Sequence, residues 1–223
     1  MQIIPAALEK TSTDLTLTIQ KISPYYRRFQ IDIEDGEFVP FKSVSIDDII
    51  SITQNGKIDI KKLFFDFHLM VKDYEKEIQK LEKLKKLLTI KNVFIHYSQL
   101  PNYQCLAAKY SFPIGLVINP KDQIADLANH YDLKELPFIQ IMSIDPGPQG
   151  QAFMPEMLNK IEQLRLLGYR SDIYLDGSIN DETIPVILSK IYRPNFLCIG
   201  SFLTKSKELE YRIKYLASII KNA

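Results

Sequence analysis

The chain has 223 residues, of which 46% are hydrophobic and 25% charged, and its 28 basic side chains are nearly balanced by 27 acidic ones. This balance leaves no concentrated positive charge for binding a nucleic-acid backbone. No run of about 18 apolar residues is present, and the N-terminus lacks the basic start and apolar core of a signal peptide. We therefore expect a cytoplasmic protein that binds neither nucleic acid nor membrane.

Short apolar or β-branched runs alternate with longer helical patterns along the chain. The predicted strands are Ile3–Leu8, Phe29–Glu34, Leu63–Met70, Asn92–Tyr97, Ile114–Asn119, Phe138–Ile144, Asp172–Asp176 and Phe196–Gly200. The predicted helices are Asp14–Ser23, Ile46–Thr53, Tyr74–Leu88, Asn102–Tyr110, Gln123–His130, Pro155–Leu167, Thr183–Tyr192 and Lys207–Lys221. This repeat of strand and helix predicts one (β/α)8 barrel domain over residues 1–223. An open doubly wound sheet is the alternative, but no glycine-rich dinucleotide fingerprint follows the first strand.

Polar side chains lie near the carboxyl ends of several predicted strands. Because side chains alternate along a strand, Gln30, Asp32 and Glu34 share one face of the second strand. His68 lies near the end of the third strand, and Asp176 ends the seventh. A single strand of this kind usually turns its polar face to water. Several such strands in one parallel barrel predict instead a site at the rim where their carboxyl ends meet.

Three other groups have simpler interpretations. Asp66 shares a face with His68, so it is a candidate to orient that imidazole. His96 is expected to be a hydrogen-bonded interior histidine. Cys105 and Cys198 stand in apolar surroundings without metal-ligand spacing, which predicts two buried free thiols.

Four segments, taken in order, resemble the ribulose-phosphate 3-epimerase family. They are IDIEDGEFVP at 31–40, DFHLMV at 66–71, MSIDPGPQGQAFMPE at 142–156 and LDGSI at 175–179, with IIPAAL at 3–8 and IGS at 199–201 in addition. The resemblance implies a ribulose-phosphate-binding barrel with one divalent metal ion, Zn, Fe or Mn. It also implies a phosphorylated ketose substrate, with interconversion of D-ribulose 5-phosphate and D-xylulose 5-phosphate or a related reaction.

Position by position, the resemblance implies that Asp32 and Asp176 are the acid/base pair acting at C3 and, with His68, the metal ligands. The fourth ligand, a histidine in the family, is Gln30 in this chain, and a neutral amide is a poor ligand for zinc. Glu34 replaces a family methionine. A carboxylate there would supply the missing ligand and favour a harder ion such as Mg²⁺ or Mn²⁺. The alternative is that Glu34 faces solvent from a frayed strand end.

The resemblance also implies a phosphate site on backbone N–H groups after the last three strands. Its positions are Gly147, Gly150, Gly177, Ser178, Gly200 and Ser201. Family glycines are replaced at Gln149 and Ser178. The substrate pocket would include Met70, Met142 and Ala6, and the last of these replaces a family serine.

Two functional hypotheses follow. The first is a sugar-phosphate epimerase that transfers protons through Asp32 and Asp176. The second is a catalytically impaired barrel that binds a phosphorylated ligand in a regulatory or structural role. The changes at Ala6, Gln30 and Glu34 favour the second hypothesis, whereas the presence of both aspartates favours the first, because paired inward carboxylates are costly to bury. A homo-oligomer is compatible with either hypothesis.

Overall fold

The computed structural model describes residues 1–56, 60, 62–147 and 150–221, so that Gln149 lies outside the described residues. Within these residues, strands and helices alternate along the chain. The strands are β1 (Gln2–Ala7), β2 (Arg28–Glu34), β3 (Phe64–Met70), β4 (Thr89–His96), β5 (Ile114–Ile118), β6 (Phe138–Met142), β7 (Asp172–Asp176) and β8 (Phe196–Ile199). The α-helices are α1 (Ser12–Ile22), α2 (Ile46–Gln54), α3 (Tyr74–Leu84), α4 (Tyr103–Lys109), α5 (Ile124–His130), α6 (Leu158–Leu166), α7 (Thr183–Leu188), α8 (Ser201–Thr204) and α9 (Leu209–Lys221).

The eight strands form a closed parallel barrel in sequence order, with β1 paired to β8. This confirms the predicted (β/α)8 barrel. In the register of the sheet, Asp32 lies beside His68 of the neighbouring strand, and Met142 lies beside Asp176. The carboxyl ends of β2, β3, β6 and β7 therefore place their polar side chains at the same rim.

Local sequence signals explain most helix ends, but helices α3 and α7 each end four residues earlier than predicted. Helix α3 buries Ile78, Leu81 and Leu84 at helical spacing and ends there. The backbone N–H groups of Leu87 and Leu88 both bond to the carbonyl of Leu84, at 2.9 and 3.1 Å, which turns the chain toward β4. Helix α7 ends at Leu188 instead of Tyr192. Sequence periodicity continued into these turns because Leu87, Leu88 and Tyr192 also pack on the core.

Apolar side chains cover both faces of the barrel sheet. The larger layer lies between the strands and the helices and includes Phe29, Phe67, Leu81 and Ile161. The smaller layer fills the inside of the barrel with side chains from alternate strand positions. It consists of Ile4, Ala6, Phe94, Val117, Phe138, Met142, Ile144, Tyr174 and Cys198. In the described residues the inside of the barrel is therefore a packed core, and a cavity opens at the rim formed by the carboxyl ends of the strands.

A buried ion pair closes the amino-terminal end of the barrel. The Arg28 guanidinium donates to both carboxylate oxygens of Asp66, at 2.8 and 3.0 Å, and to the Tyr174 hydroxyl at 2.9 Å. The suggestion that Asp66 orients His68 is therefore wrong. Both side chains point inward, but Asp66 lies one inward position lower on β3, where Arg28 is its partner.

The two thiols differ from each other. Cys198 is buried and free, as predicted, but the prediction of a buried Cys105 is wrong because this free thiol is exposed. Helix α4 turns Tyr103 and Leu106 toward the core, which places Cys105 on the outer side. Among the described helices, none combines the length and apolar character needed to cross a membrane.

The ion pair at the amino-terminal end supports a prediction about stability. Arg28→Met would leave the buried Asp66 carboxylate without its partner, so we expect the free energy of unfolding to fall by about 3 kcal/mol. Urea denaturation followed by circular dichroism measures this change. Arg27→Met is the control, because Arg27 is the adjacent residue and is exposed. Equal stability of both variants would contradict a cost of leaving Asp66 without its partner.

Candidate active site

The end of β2 is held in a defined conformation by Ser43. The Ser43 hydroxyl donates to the Asp32 carbonyl at 2.9 Å and accepts from the Glu34 backbone N–H at 2.9 Å. The Ser43 backbone N–H also donates to the Glu34 carbonyl at 3.0 Å. Asp32 and Glu34 are buried, with exposed fractions of 8% and 2%. This strand end is therefore ordered, and its two carboxylates point into the barrel.

Asp32, His68 and Asp176 form one buried cluster. Each offers a ligand atom, and these atoms all lie within 4.8 Å of one another. The His68 Nδ1 atom is 3.3 Å from the Asp32 carboxylate and 3.6 Å from the Asp176 carboxylate. The structure thus brings together three residues from β2, β3 and β7 that the sequence analysis placed in one site. In the part of the chain that the structure describes, Glu34 does not join this cluster of ligand atoms.

Two glutamine amides hold the carboxylates in place from below. Gln30 Nε2 donates to Asp32 at 3.0 Å and to Asp176 at 2.6 Å. Gln140 Nε2, from β6, donates to the same Asp176 oxygen at 3.0 Å. The Gln30 amide oxygen accepts from the Cys198 thiol at 3.1 Å. In this orientation Gln30 offers the cluster hydrogen-bond donors and no ligand oxygen.

A second chain of hydrogen bonds orients His68. Asn119 Oδ1 lies 2.8 Å from Nδ1 of His96, and Nε2 of His96 lies 2.9 Å from Nε2 of His68. Because the amide oxygen only accepts, Nδ1 of His96 carries a proton and its Nε2 accepts from Nε2–H of His68. This leaves Nδ1 of His68 facing the two aspartates. His96 is thus the hydrogen-bonded interior histidine that was predicted, and it also contacts a site residue.

Burial and mutual repulsion change the acidity of the site. Burial, followed by the nearby Asp32 charge, raises the pKa of Asp176 to about 7, and the same two causes raise the pKa of Glu34 to about 7. Burial lowers the pKa of His68, but its hydrogen bond to Asp32 and the surrounding carboxylates outweigh this and raise it overall. Burial and the His68 charge hold the pKa of His96 well below its ordinary value. The site therefore holds protons near neutral pH.

One cavity at the carboxyl-terminal rim joins the remaining predicted residues. Its lining includes Asp32, Glu34, His68 and Asp176, the predicted pocket residues Ala6, Met70 and Met142, and the predicted phosphate positions Gly147, Gly150, Gly177, Ser178, Gly200 and Ser201. Gln30 lies beneath the cavity and is not part of the lining.

The turn after β7 has an unusual backbone conformation. Gly177 has φ of 119°, and a Cβ atom there would lie 2.7 Å from the Ile144 side chain and 2.9 Å from its backbone nitrogen. Ser178 follows with φ of 51°, and its hydroxyl donates to the Gln151 carbonyl. Only glycine fits at 177, because of both its φ and the close contact with Ile144. This turn places Gly177 and Ser178 in the lining of the cavity.

Sequence reasoning missed Gln140 and the contact between Cys198 and Gln30. A polar residue at an inward position of the apolar strand FIQIM was the available signal for Gln140. No sequence signal connects Cys198 with Gln30, which lies 168 residues away.

Comparison with known proteins agrees with this geometry. The model of the ribulose-phosphate 3-epimerase family matches residues 2–203. The chain belongs to this family. The ribulose-phosphate 3-epimerase of Methanocaldococcus jannaschii is 30% identical over 163 residues, which is 71% of this chain and 65% of that protein. The protein of the same name from Buchnera aphidicola is 29% identical over 198 residues, which is 86% of this chain and 82% of that protein.

Solved structures resemble this member of the ribulose-phosphate 3-epimerase family in fold. A 3-hexulose-6-phosphate synthase from Salmonella typhimurium aligns with a TM-score of 0.64 and 11% identity, over 100% of this chain and 99% of that chain. A tryptophan synthase structure from Pyrococcus furiosus aligns with a TM-score of 0.65 and 10% identity, over 99% of this chain and 98% of that chain. At this identity the likeness shows the shared barrel alone.

Members of the ribulose-phosphate 3-epimerase family are metal-dependent in general, and the buried cluster fits a divalent ion. Two carboxylates and one imidazole, whose Nδ1 atom faces both carboxylates, are suitable ligands for zinc, iron or manganese. Gln30 would become a fourth ligand only if its amide turned its oxygen toward the ion, which would break both donor contacts to the aspartates. The residues present therefore make a three-ligand site in the observed arrangement.

The raised pKa of Glu34 gives a prediction about pH. The folded chain binds this proton more tightly than the unfolded chain, whose carboxyl has a pKa near 4.5, so the resulting stability is lost as pH rises through about 7. Relative to wild type, Glu34→Gln should gain about 2 kcal/mol of stability between pH 5 and pH 8. Urea denaturation in the presence of a chelator measures this difference.

The control for this experiment is Glu37→Gln, which removes an exposed carboxylate three residues further along the chain. We expect its effect on stability to be the same at both pH values. Parallel pH curves for wild type and Glu34→Gln would contradict a raised pKa at Glu34.

Proposed function

We propose that this chain is a sugar-phosphate epimerase that interconverts D-ribulose 5-phosphate and D-xylulose 5-phosphate, or a closely related pair of ketose phosphates. The observation that carries the proposal is the convergence of Asp32 and Asp176, from β2 and β7, on one cavity with their oxygens within 4.8 Å. Inverting a carbon beside a ketone requires one group to remove a proton and a second group to return one. Family membership and the similar proteins named ribulose-phosphate 3-epimerase support this reaction.

The raised pKa of Asp176 suggests a role for each of the two aspartates. Asp176, whose pKa is raised to about 7, holds a proton at neutral pH and acts as the acid. Asp32 acts as the base that removes the proton from C3. The roles exchange in the reverse direction. Gln30 and Gln140 fix the orientation of the acid through their bonds to the same oxygen of Asp176.

The Asp32, His68 and Asp176 cluster would hold a divalent ion, Zn, Fe or Mn. When bound, such an ion stabilises the negative charge that develops on the substrate oxygens. The hydrogen bonds that run from Asn119 through His96 to Nε2 of His68 leave Nδ1 of His68 available to bind the ion.

The phosphate group of the substrate would bind at the other side of the cavity. The loops after β6, β7 and β8 contribute Gly147, Gly150, Gly177, Ser178, Gly200 and Ser201 to its lining. Backbone N–H groups are suitable donors for phosphate oxygens and do not depend on side chains. The sugar, which lies between the reacting carbon and the phosphate, would contact Ala6, Met70 and Met142.

We further propose that the protein is cytoplasmic. A homo-oligomer is compatible with this function, and the molecular mass in solution tests it.

The decisive experiment is solvent-deuterium exchange at C3 of D-ribulose 5-phosphate, followed by NMR after incubation with and without Zn²⁺, Fe²⁺ or Mn²⁺. We expect exchange with the wild-type protein and a loss of about 1,000-fold in rate for Asp32→Asn and for Asp176→Asn. The control is Asp172→Asn, because this exposed aspartate begins the same strand that Asp176 ends.

The same experiment tests the second hypothesis. Thermal stabilisation by phosphate, with no exchange under any of the three ions, would favour a non-catalytic binding protein. Exchange that persists in both aspartate variants would contradict the assigned acid and base.

Metal binding gives an independent prediction. Isothermal titration with Zn²⁺ should show no binding at the site in His68→Leu. Affinity should fall about 10- to 100-fold in His96→Leu, because His96 orients the ligand imidazole. His130→Leu is the control, since His130 is exposed at the end of α5. Wild-type affinity in His96→Leu would show that the histidine pair does not orient the ligand.

A further inference from the structure

Glu34 is a buried carboxylate that the proposed reaction does not use. Its exposed fraction is 2%, and it lines the cavity together with Asp32 and His68. Among the described residues, neither of its carboxylate oxygens has a hydrogen-bond partner. A buried carboxyl group without a partner costs free energy, so its presence calls for an explanation.

The position of Glu34 does not result from a frayed strand end. Ser43 binds its backbone on both sides, through the N–H and the carbonyl. The turn that follows is also ordered, because the Asp35 carboxylate accepts from the backbone N–H groups of Glu37, Phe38 and Lys72 at 2.7 to 2.8 Å. The interpretation of Glu34 as a solvent-facing side chain is therefore wrong. Its backbone therefore holds this buried side chain at the wall of the cavity.

The described part of the cavity offers no cation for Glu34. Its lining contains neither lysine nor arginine. The one imidazole in the lining, His68, already faces Asp32 and Asp176. Glu34 itself is outside the group of ligand atoms that lie within 4.8 Å of one another. A molecule that enters the cavity is therefore in a position to supply its hydrogen-bond partners.

The location of Glu34 indicates which part of a ligand it would meet. It lies two residues beyond Asp32 on the same face of β2, about 6.6 Å further toward the rim. The proposed phosphate loops follow β6, β7 and β8, which are four, three and two positions away from β2 around the ring of eight strands. A ketose phosphate that spans the cavity would place its reacting carbon beside Asp32 and its unphosphorylated end near Glu34.

We propose that Glu34 is a specificity-determining residue that accepts hydrogen bonds from hydroxyl groups at the unphosphorylated end of the substrate, the C1 hydroxyl above all. This inference rests on the proposed function and narrows its substrate class to ketose phosphates that keep this hydroxyl. A substrate without it leaves the buried carboxylate unpartnered in the complex. Sites that lose a required polar partner in this way discriminate strongly against the deoxy analogue.

The test compares two ligands that differ only at C1, D-xylulose 5-phosphate and 1-deoxy-D-xylulose 5-phosphate. Their affinities are measured by isothermal titration on the wild type, Glu34→Leu and Glu34→Gln. We expect the wild type to prefer the hydroxylated ligand by about tenfold or more and Glu34→Leu to bind both equally. Glu34→Gln keeps an acceptor of similar shape and should retain part of the preference. Glu37→Leu, an exposed carboxylate change on the following turn, should retain all of it.

Inorganic phosphate and Zn²⁺ are titrated on the same variants. Unchanged phosphate affinity is expected in Glu34→Leu, because Glu34 lies outside the phosphate loops. Zn²⁺ affinity should fall only slightly in both Glu34 variants, because they lose a negative charge near Asp32 and His68. Loss of Zn²⁺ binding in both variants, as expected for His68→Leu, would overturn the proposal and make Glu34 a metal ligand. If Glu34→Leu still prefers the ligand with the C1 hydroxyl, the proposed role of Glu34 is wrong, but the proposed epimerase function is not affected. If the wild-type protein binds neither sugar phosphate, the proposed function fails first and this inference fails with it.

Discussion

Two carboxylates of like charge are held close together in a buried pocket, and the rest of the site is arranged around that constraint. The Asp32 and Asp176 oxygens lie within 4.8 Å, where their repulsion would separate them in a flexible chain. The Gln30 amide lies between them and donates to both, and Gln140 adds a third donor bond. These donors lie on β2 and β6 and reach Asp176 on β7 because the barrel is closed. Barrel closure therefore supplies the hydrogen bonds that offset the repulsion between the two carboxylates.

The inside of the barrel is organised in layers from one end to the other. Arg28 and Asp66 form an ion pair at the amino-terminal end, below the cavity and outside its lining. The two glutamine amides occupy the middle, and the acids and histidines lie at the rim. The glutamine amides restrict the orientation of the aspartate side chains above them by hydrogen bonding. The reactive groups therefore rest on strands with fixed rotamers and not on mobile loops, which favours a precise geometry.

The sequence by itself determined the architecture and much of the site. Alternating apolar runs and helical patterns predicted eight strands and the barrel, because each element carries its own periodicity. The two-residue repeat along Phe29–Glu34 correctly placed Gln30, Asp32 and Glu34 on the inner face. The polar residues near the ends of the third and seventh strands added His68 and Asp176, which the structure places beside Asp32. Sequence periodicity was less accurate at helix ends such as α3, where apolar residues in a turn continue the helical pattern.

Only the tertiary structure decided which inward residues meet. Asp66 and His68 share a face, yet one contacts Arg28 and the other Asp32, because height along the barrel follows from strand register. Gln30 contacts Asp176, which lies 146 residues away, and no local pattern predicts such a pair. The burial of Glu34 likewise depends on Ser43 and the loop that folds back over β2. The physical reason is that side-chain direction is a local property of the backbone, whereas a partner is supplied by whichever strand lies next to it in space.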